Sequence, residues 1–393
     1  MLQAAVPRRR RTPRLPFPVL PEELVVWDIL VRLPAKALPR CRAVCRSWRR
    51  LTSTADFLLA HHRHQPSLPL VFFHGQIRDS SCNVWSDSDL DGFDLRGATA
   101  ERRPILHFND FSHPREYKVY ASCDGLLLYS LHDSIFYICN PATRQRKVLP
   151  SLSSTNVVGM YRHSSSGEYR ILYLRKEYRD SGYHMLTVGS YANPRCIGLP
   201  AAAVSGPIRQ YIAAGPLFVC EHPPVLLHSC LHWIIYRSRE NALVVFDTVS
   251  ESFRRMSRPV AVNGRWRHLL DIDGALGISH MDESKTMVKL CVLQDYDTEV
   301  WSLKYQIELP MVELRGAGMN CRFEVFVASE EGDLLVFCSS LCHIFHCDSK
   351  GKLLQKFQWR HVCSKPIGHW FKESLVRHAF FQGQESDHAV HFF

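Results

Sequence analysis

The stretch FYICNPATRQRKVLP, residues 136–150, decides how this chain of 393 residues is read. An apolar run ends at Asn140, a polar turn follows, and a second short run leads back to Leu149. A short acceptor side chain at the end of a strand can bond the backbone two residues on, so Asn140 reads as a hairpin turn. The same grammar returns as TVGSYANPRCIGLP around Asn193 and LVVFDTVSESFRRM around Asp247. It appears again as CVLQDYDTEVWSLKYQI around Asp297 and HIFHCDSKGKLLQKF around Asp348. The steps between the five acceptors are 53, 54, 50 and 51 residues.

A constant step of about 50 residues, built of antiparallel strands, is the size of one propeller blade. A four-stranded blade has faces it cannot bury alone, so neighbours must stack around an axis. One step back from Asn140 reaches the neighbourhood of residue 90, in CNVWSDSDLDGFDL, which reads as a degenerate first blade. About six units then account for residues 65–393. The closing run HWFKESLV, residues 369–376, is expected to complete the ring by pairing with the first blade. Two packed β-sheets are the alternative architecture.

The first 65 residues follow a different pattern. Residues 1–17, with Arg8 to Arg11, read as a disordered basic tail; solvated charge is the plain reading and a nuclear-import patch the other. Pro21, Glu22 and Glu23 suit a helix start, because proline lacks an N–H and carboxylates favour the positive end. That helix carries Leu24, Trp27, Ile29 and Leu30 and stops at Leu33-Pro34. A second helix is expected from about Ala37, with Pro39 tolerated in its first turn. Along it Leu38, Cys41, Val44, Cys45 and Trp48 recur at spacings of three and four, one apolar stripe with Arg40, Arg42, Arg46, Arg49 and Arg50 largely off it. Ser53 or Thr54 can cap a third helix from Asp56 towards His64. Some 45 residues in three short helices cannot enclose these apolar side chains, so the surplus predicts a docking surface. The fold class expected is α+β: a small three-helix unit at residues 18–64, then an all-β repeat domain.

LPEEL, ILVRLP and AVCRSWRRL, in that order, resemble the F-box, the motif that docks F-box proteins on a Skp-family adaptor in cullin-based ubiquitin ligases. The first helix is about one residue longer than the common form, at Val26-Trp27, and Pro39 replaces a position usually apolar. By position, the resemblance assigns adaptor contact to Leu20, Pro21, Leu24, Ile29, Leu33, Pro34, Leu38, Val44, Cys45 and Trp48, with Trp48 equally suited to internal core. The later region resembles the F-box-associated domain of plant proteins. The matching residues are Ser122-Cys123-Asp124-Gly125-Leu126-Leu127, Cys139-Asn140-Pro141-Ala142-Thr143-Arg144-Gln145, Val245-Phe246-Asp247 and Glu373-Ser374-Leu375-Val376.

Charge and cysteine usage narrow the classes. The net charge is +10, but residues 1–65 hold 13 of the 48 Lys+Arg and only 4 of the 38 Asp+Glu. The remainder is nearly balanced, whereas a nucleic-acid-binding domain carries its basic excess where it grips phosphate. No nucleic-acid partner is expected. Fourteen scattered cysteines without a Cys-x-x-Cys pair fit a reducing cytoplasm or nucleus. No apolar run reaches the roughly 18 residues a membrane span needs, and no membrane role is expected.

Three clusters invite a site reading. Asp87, Asp89, Asp91 and Gly92 open like a calcium loop, but Ala98 stands where an EF-hand needs its glutamate and Leu95 where a propeller calcium loop needs an acid. The plain reading is an acidic solvated loop. Cys338, Cys342, His343, His346 and Cys347 gather zinc-type donors, yet a strand would send them to opposite faces. The histidines His61, His62 and His64 suit a helix C-terminus. No nucleophile elbow, Walker loop or His-Glu-x-x-His is present in the sequence, so neither cofactor nor catalytic residue is assigned. The resemblance implies a non-catalytic substrate-recognition subunit of an SCF-type ligase, binding a Skp-family adaptor, through it a cullin, and an unknown protein client. An adaptor-bound regulatory or scaffolding protein is the competing class, and a propeller lectin or enzyme a third.

Overall fold

The computed structural model describes residues 20–75, 77–78, 84–85, 88–97, 100–108, 117–131, 134–150, 152, 155–175, 182–190, 192–198, 222–234, 242–259, 265–315, 323–329, 331–338, 343–358, 362–382 and 390–392. The basic tail, Asp87, Ala98 and Cys342 lie outside these residues.

Among the described residues, six antiparallel sheets of four or five strands follow one another along the chain, and Ile77–Arg78 pairs with Val84–Trp85 in a separate two-stranded hairpin. Blade 2 is Tyr117–Cys123, Leu126–Leu131, Ile135–Asn140 and Gln145–Val148; blade 3 is Thr155–Arg162, Tyr169–Arg175, Gly182–Thr187 and Arg195–Gly198. Blade 4 is Val225–Leu227, Cys230–Ile234, Ala242–Asp247 and Ser252–Ser257. Blade 5 is Arg265–Ile272, Ala275–Met281, Met287–Asp295 and Val300–Glu308; blade 6 is Phe323–Val327, Leu334–Cys338, His343–Cys347 and Leu353–Gln358. Blade 1 is composite. Ser67–Gly75, Ser88–Asp94 and Glu101–Phe108 come from its own stretch, Val362–Lys372 adds the innermost strand, and Val390–Phe392 the outer edge.

Closure is thus antiparallel pairing of the chain's two ends, with Ser67 opposite Lys372, Leu68 opposite Phe371 and Gly75 opposite Val362. The expected pairing of residues 369–376 holds for Trp370 to Lys372, while His369 falls in a register shift and Glu373 to Val376 leave the sheet. Each of the six blade contacts has its own core, as stacking of two-faced sheets requires. Phe108 and Tyr129 lie between blades 1 and 2, Ile138 and Tyr173 between 2 and 3, and Tyr161 and Phe246 between 3 and 4. Val245 and Ile278 lie between 4 and 5, Leu290 and Phe345 between 5 and 6, and Phe93 and Phe337 between 6 and 1. The architecture is a six-bladed propeller behind short helices.

The repeat is read correctly from its turns, with two shifts of phase. Asn140 and Asp247 end their strands, Asp348 directly follows one, and all three accept backbone N–H groups, Asp247 from Val249 and Ser250 at 2.8 and 3.0 Å. In blade 5 the acceptor is Asp295, not Asp297: it takes the N–H groups of Asp297 and Thr298 at 2.9 and 3.0 Å. Asp295 pairs with Val300 across the ladder, which fixes the turn two residues earlier. In blade 3 the strand already ends at Thr187, and Asn193 lies in the connection before Arg195.

The acidic stretch near residue 90 is a strand rather than a loop. Leu90, Asp91 and Phe93 are buried, and Asp91 is ion-paired with Arg102, whose guanidinium also lies 4.3 Å over the Phe73 ring. Asp89 accepts from His107 Nδ1 at 2.5 Å. Strand geometry sends residues 89, 91 and 93 to the face that meets blade 6, so these carboxylates are spent on structure rather than on calcium.

Candidate functional site

The helical unit starts where proline and two glutamates place it. Pro21 is the N-cap, and helical backbone continues from Glu22 to Arg32 before Leu33 turns extended ahead of Pro34. Its middle, Val25–Ile29, is a π turn in which the Leu30 N–H reaches back to the carbonyl of Val25 as well as that of Val26. A π turn takes up one more residue than an α turn. It falls where the resemblance to the F-box put one residue more than the common form, at Val26-Trp27.

The second helix is broken, which corrects the single-stripe expectation. Leu38–Arg42 and Arg46–Leu51 are separate segments, with Pro39 in the first turn of the former. Cys45 between them is extended and caps the latter, its Sγ accepting the Trp48 N–H at 3.4 Å. The break turns Val44 and Cys45 to solvent and Leu38 inward. Thr54 caps the last helix, Ala55–His64, by accepting from the Phe57 N–H at 3.3 Å. Arg40, Arg46, Arg49 and Arg50 are exposed, but Arg42 is half-buried and donates to the Thr52 carbonyl at 2.6 Å.

The unit's core is Val26, Leu30, Val31, Leu38, Phe57 and Leu58. Of the residues assigned to adaptor contact, Leu20, Pro21, Leu24, Ile29, Pro34, Val44 and Cys45 are exposed. Leu33 and Trp48 are half-buried against the core, and Leu38 is wholly within it, so Leu38 has no surface to offer a partner. Trp27, absent from that set, is 42 % exposed with its ring 5.8 Å from that of Phe57. Leu59 is exposed as well. Among the described residues thirteen large apolar side chains are exposed, and six of them (Leu20, Leu24, Trp27, Ile29, Val44 and Leu59) fall within these forty positions. The rest are scattered over the propeller.

The histidines at the helix end do more than face a dipole. His61 is buried and donates Nε2–H to the Leu33 carbonyl at 2.8 Å; burial lowers its pKa from the usual histidine value, against the pull of that bond. His62 donates Nδ1–H to the Glu373 carbonyl at 2.7 Å and lies 4.0 Å from Asp124 in blade 2.

The other candidate clusters do not assemble. His343, Phe345 and Cys347 alternate with Ile344 and His346 along one strand, and His346 faces Asp333 at 3.5 Å. No group of three His, Cys, Asp or Glu side chains that could hold a metal exists among the described residues. On the ring axis His222 and His268 meet with ring centres 3.9 Å apart, but the Phe326 ring closes on both. A side chain at Gly368 of blade 1 would strike Pro223, and one at Gly159 of blade 3 would strike Pro224, each at 2.9 Å. Residues 222–224 therefore pack against the innermost strands of blades 1 and 3, and His222 against those of blades 5 and 6.

The F-box-associated beta propeller domain model matches residues 98–383, and the F-box-like model matches residues 17–64. This is a plant F-box protein with a C-terminal F-box-associated propeller. The relatives it is similar to are from Arabidopsis thaliana. F-box protein At5g49610 is 26 % identical over 75 % of this chain and 80 % of its own length. F-box protein At3g07870 is 25 % identical over 73 % and 72 %, and F-box/kelch-repeat protein At4g19930 is 23 % identical over 91 % and 89 %. F-box proteins are in general adaptor-type, non-catalytic subunits, and an F-box implies binding to a Skp adaptor in an SCF complex.

Proposed function

We propose that this F-box protein is the substrate-recognition subunit of an SCF-type ubiquitin ligase, working in the cytoplasm or nucleus. The exposed apolar face of the helical unit docks a Skp-family adaptor, the adaptor brings a cullin, and the propeller holds a protein client. One observation carries the reading: nearly half of the exposed large apolar side chains among the described residues crowd onto forty residues of F-box. Exposed apolar side chains concentrated in this way suit a protein interface. The chemistry belongs to a separate ubiquitin-conjugating enzyme. Holding a client lysine near the loaded thioester makes their encounter nearly intramolecular, so no residue of this chain needs to act as nucleophile or base.

The test is reconstitution. Purified with a Skp-family adaptor, a cullin and its RING partner, the chain should join the assembly and promote ubiquitin transfer to proteins captured through the propeller. Assembly without transfer to any captured protein would favour a regulatory or scaffolding subunit. Failure to bind the adaptor would refute the reading at its root.

A further inference from the structure

Three of the stretches that carry the family likeness, separated by up to about 250 positions, meet at one place. Asp124 and Gly125 form the tight turn between the first two strands of blade 2, both at positive φ. A side chain on Gly125 would collide with Ser374 at 2.3 Å, so glycine is required by the approach as well as by its φ of +81°. Asn140, fully buried at the turn between the last two strands of the same blade, donates Nδ2–H to the carbonyls of Ser374 and Val376 at 3.0 and 3.5 Å. Ser374 is itself fully buried. Blade 2 thus grips the backbone of residues 374–376 as they leave the ring.

The same residues then hold the F-box. Leu375 and Val376 pack on its apolar core. The Ala35 N–H opens a short 3-10 turn whose N-cap, Pro34, offers no side-chain acceptor. Glu373 supplies one, its Oε2 accepting that N–H at 3.1 Å from 338 positions away. Its carbonyl accepts from His62. Beyond Val376 the chain stays on this face: Phe380 covers Gly189 of blade 3, and Phe381 is buried in the core between blades 2 and 3. On the other side only Gln65 and Pro66 separate the last helix from the first strand, and the buried Gln65 donates to the Leu33 carbonyl at 3.0 Å. Ser67 and Lys372, where linker and strap leave the sheet, are ladder partners.

We infer that residues 373–381 are a strap that closes one apolar face of the F-box in cis and locks it to blade 2, so that F-box and propeller fold and move as one body. The helical unit was short of apolar cover, and part of that cover is its own C-terminal segment. Attachment at the two-residue linker and again at the strap removes the swivel that a single linker would leave. The adaptor-facing side chains are then held at one angle to the ring. These contacts are intramolecular, so the inference stands whether or not the chain serves a ligase.

Hydrogen exchange on the full chain tests it. In wild type, amides of Ala55–His64 should be protected on the scale of blade amides such as those of Ala242–Asp247. In the double variant Leu375→Ala, Val376→Ala they should exchange at least tenfold faster while the blade amides keep their rates. If that variant loses blade protection as well, Glu373→Ala, which removes only the Ala35 cap, is read in its place and should speed Ala35–Arg42 selectively. Spin labels introduced as noncanonical residues at the exposed positions Arg49 and Lys350 should give one narrow distance distribution in wild type and a broadened one in the variants. Helix amides within twofold of wild type in both variants, or a broad distribution already in wild type, would overturn the strap.

Discussion

Leu24→Ala with Ile29→Ala separates docking from folding. Both side chains lie outside the F-box core cluster and remain 48 % and 46 % exposed. Complete burial of such a side chain is worth about 1.5–3 kcal/mol, so covering the remaining half recovers about 1 kcal/mol each. Truncating both should therefore weaken adaptor binding by roughly 2 kcal/mol, a rise in Kd of about 30-fold. Because the pair contributes little to the packed interior, the melting temperature should stay close to wild type. Leu38→Ala is the control with the opposite signature. That residue is fully buried, and its truncation should cost about 2–5 kcal/mol of stability through lost contacts and a cavity. Calorimetric titration with a purified Skp-family adaptor, paired with thermal melts, reads both. The reasoning fails if the surface pair binds within threefold of wild type while Leu38→Ala alone abolishes docking.

The buried Asp91 gives a pH prediction. Burial pushes its carboxyl up from 3.8 to about 6, against the pull of Arg102, so the native state holds more protons than the unfolded chain between these values. Stability should accordingly fall as pH rises from about 4 to 6, by about 3 kcal/mol in all, and Asp91→Asn should flatten that slope in denaturant titrations. Gly351→Ala should destabilise the chain by more than about 3 kcal/mol, since its φ is +80° and an added Cβ would meet the Glu308 carbonyl oxygen; a melt within a degree of wild type would contradict this. Asp295→Ala should lower the melting temperature and Asp297→Ala should not, because only Asp295 accepts the turn's N–H groups. Under the proposed function, Val312→Asp should deplete proteins captured by proximity labelling several-fold and leave adaptor binding intact, whereas Val249→Asp should change neither; the reverse pattern would put the client at the wrong end of the ring.

What could be read in advance was whatever is local. A strand end followed by a turn acceptor is set by neighbours in sequence, so Asn140, Asp247 and Asp348 disclosed the ring and its step. The phase slipped at Asp297 because Asp-Tyr-Asp offers an acceptor twice, and ladder register, which no single segment contains, selects Asp295. The F-box stripe failed for a related reason. Spacings of three and four run unbroken from Leu38 to Trp48, but the extended Cys45 interrupts the helix, and a thiol is a weak cap signal. Asp91 looked solvated because its partner Arg102 stands on the next strand. The least legible contact was the most distant: Glu373 on Ala35 joins the two ends of the chain, and only the family likeness of Glu373 to Val376 hinted that the segment mattered.

The two ends of the ring are unlike, and the strap makes the difference consequential. In blades 2 to 6, connections from first to second and third to fourth strand lie at one end, and those from second to third strand lie at the other. The strap under the F-box rests on the Asp124–Gly125 and Asn140–Arg144 turns of blade 2, and His62 of the F-box lies 4.0 Å from Asp124, so the F-box occupies the first end. That end is built of close turns, two residues each at Asp124–Gly125, His228–Ser229 and Asp273–Gly274. The links between blades are longer in sequence, 26 residues from blade 3 to blade 4 and 14 from blade 5 to blade 6, and the described start of the latter, Met311–Arg315, bears Val312 at 85 % exposure. Binding diversity is carried by long connections on a rigid frame, not by two-residue turns. A client held at that far end and an adaptor held by the F-box would therefore stand on opposite sides of one body. Their separation is then fixed by the blades and the strap together, which is the geometry that turns simultaneous capture into a high effective concentration at a single place.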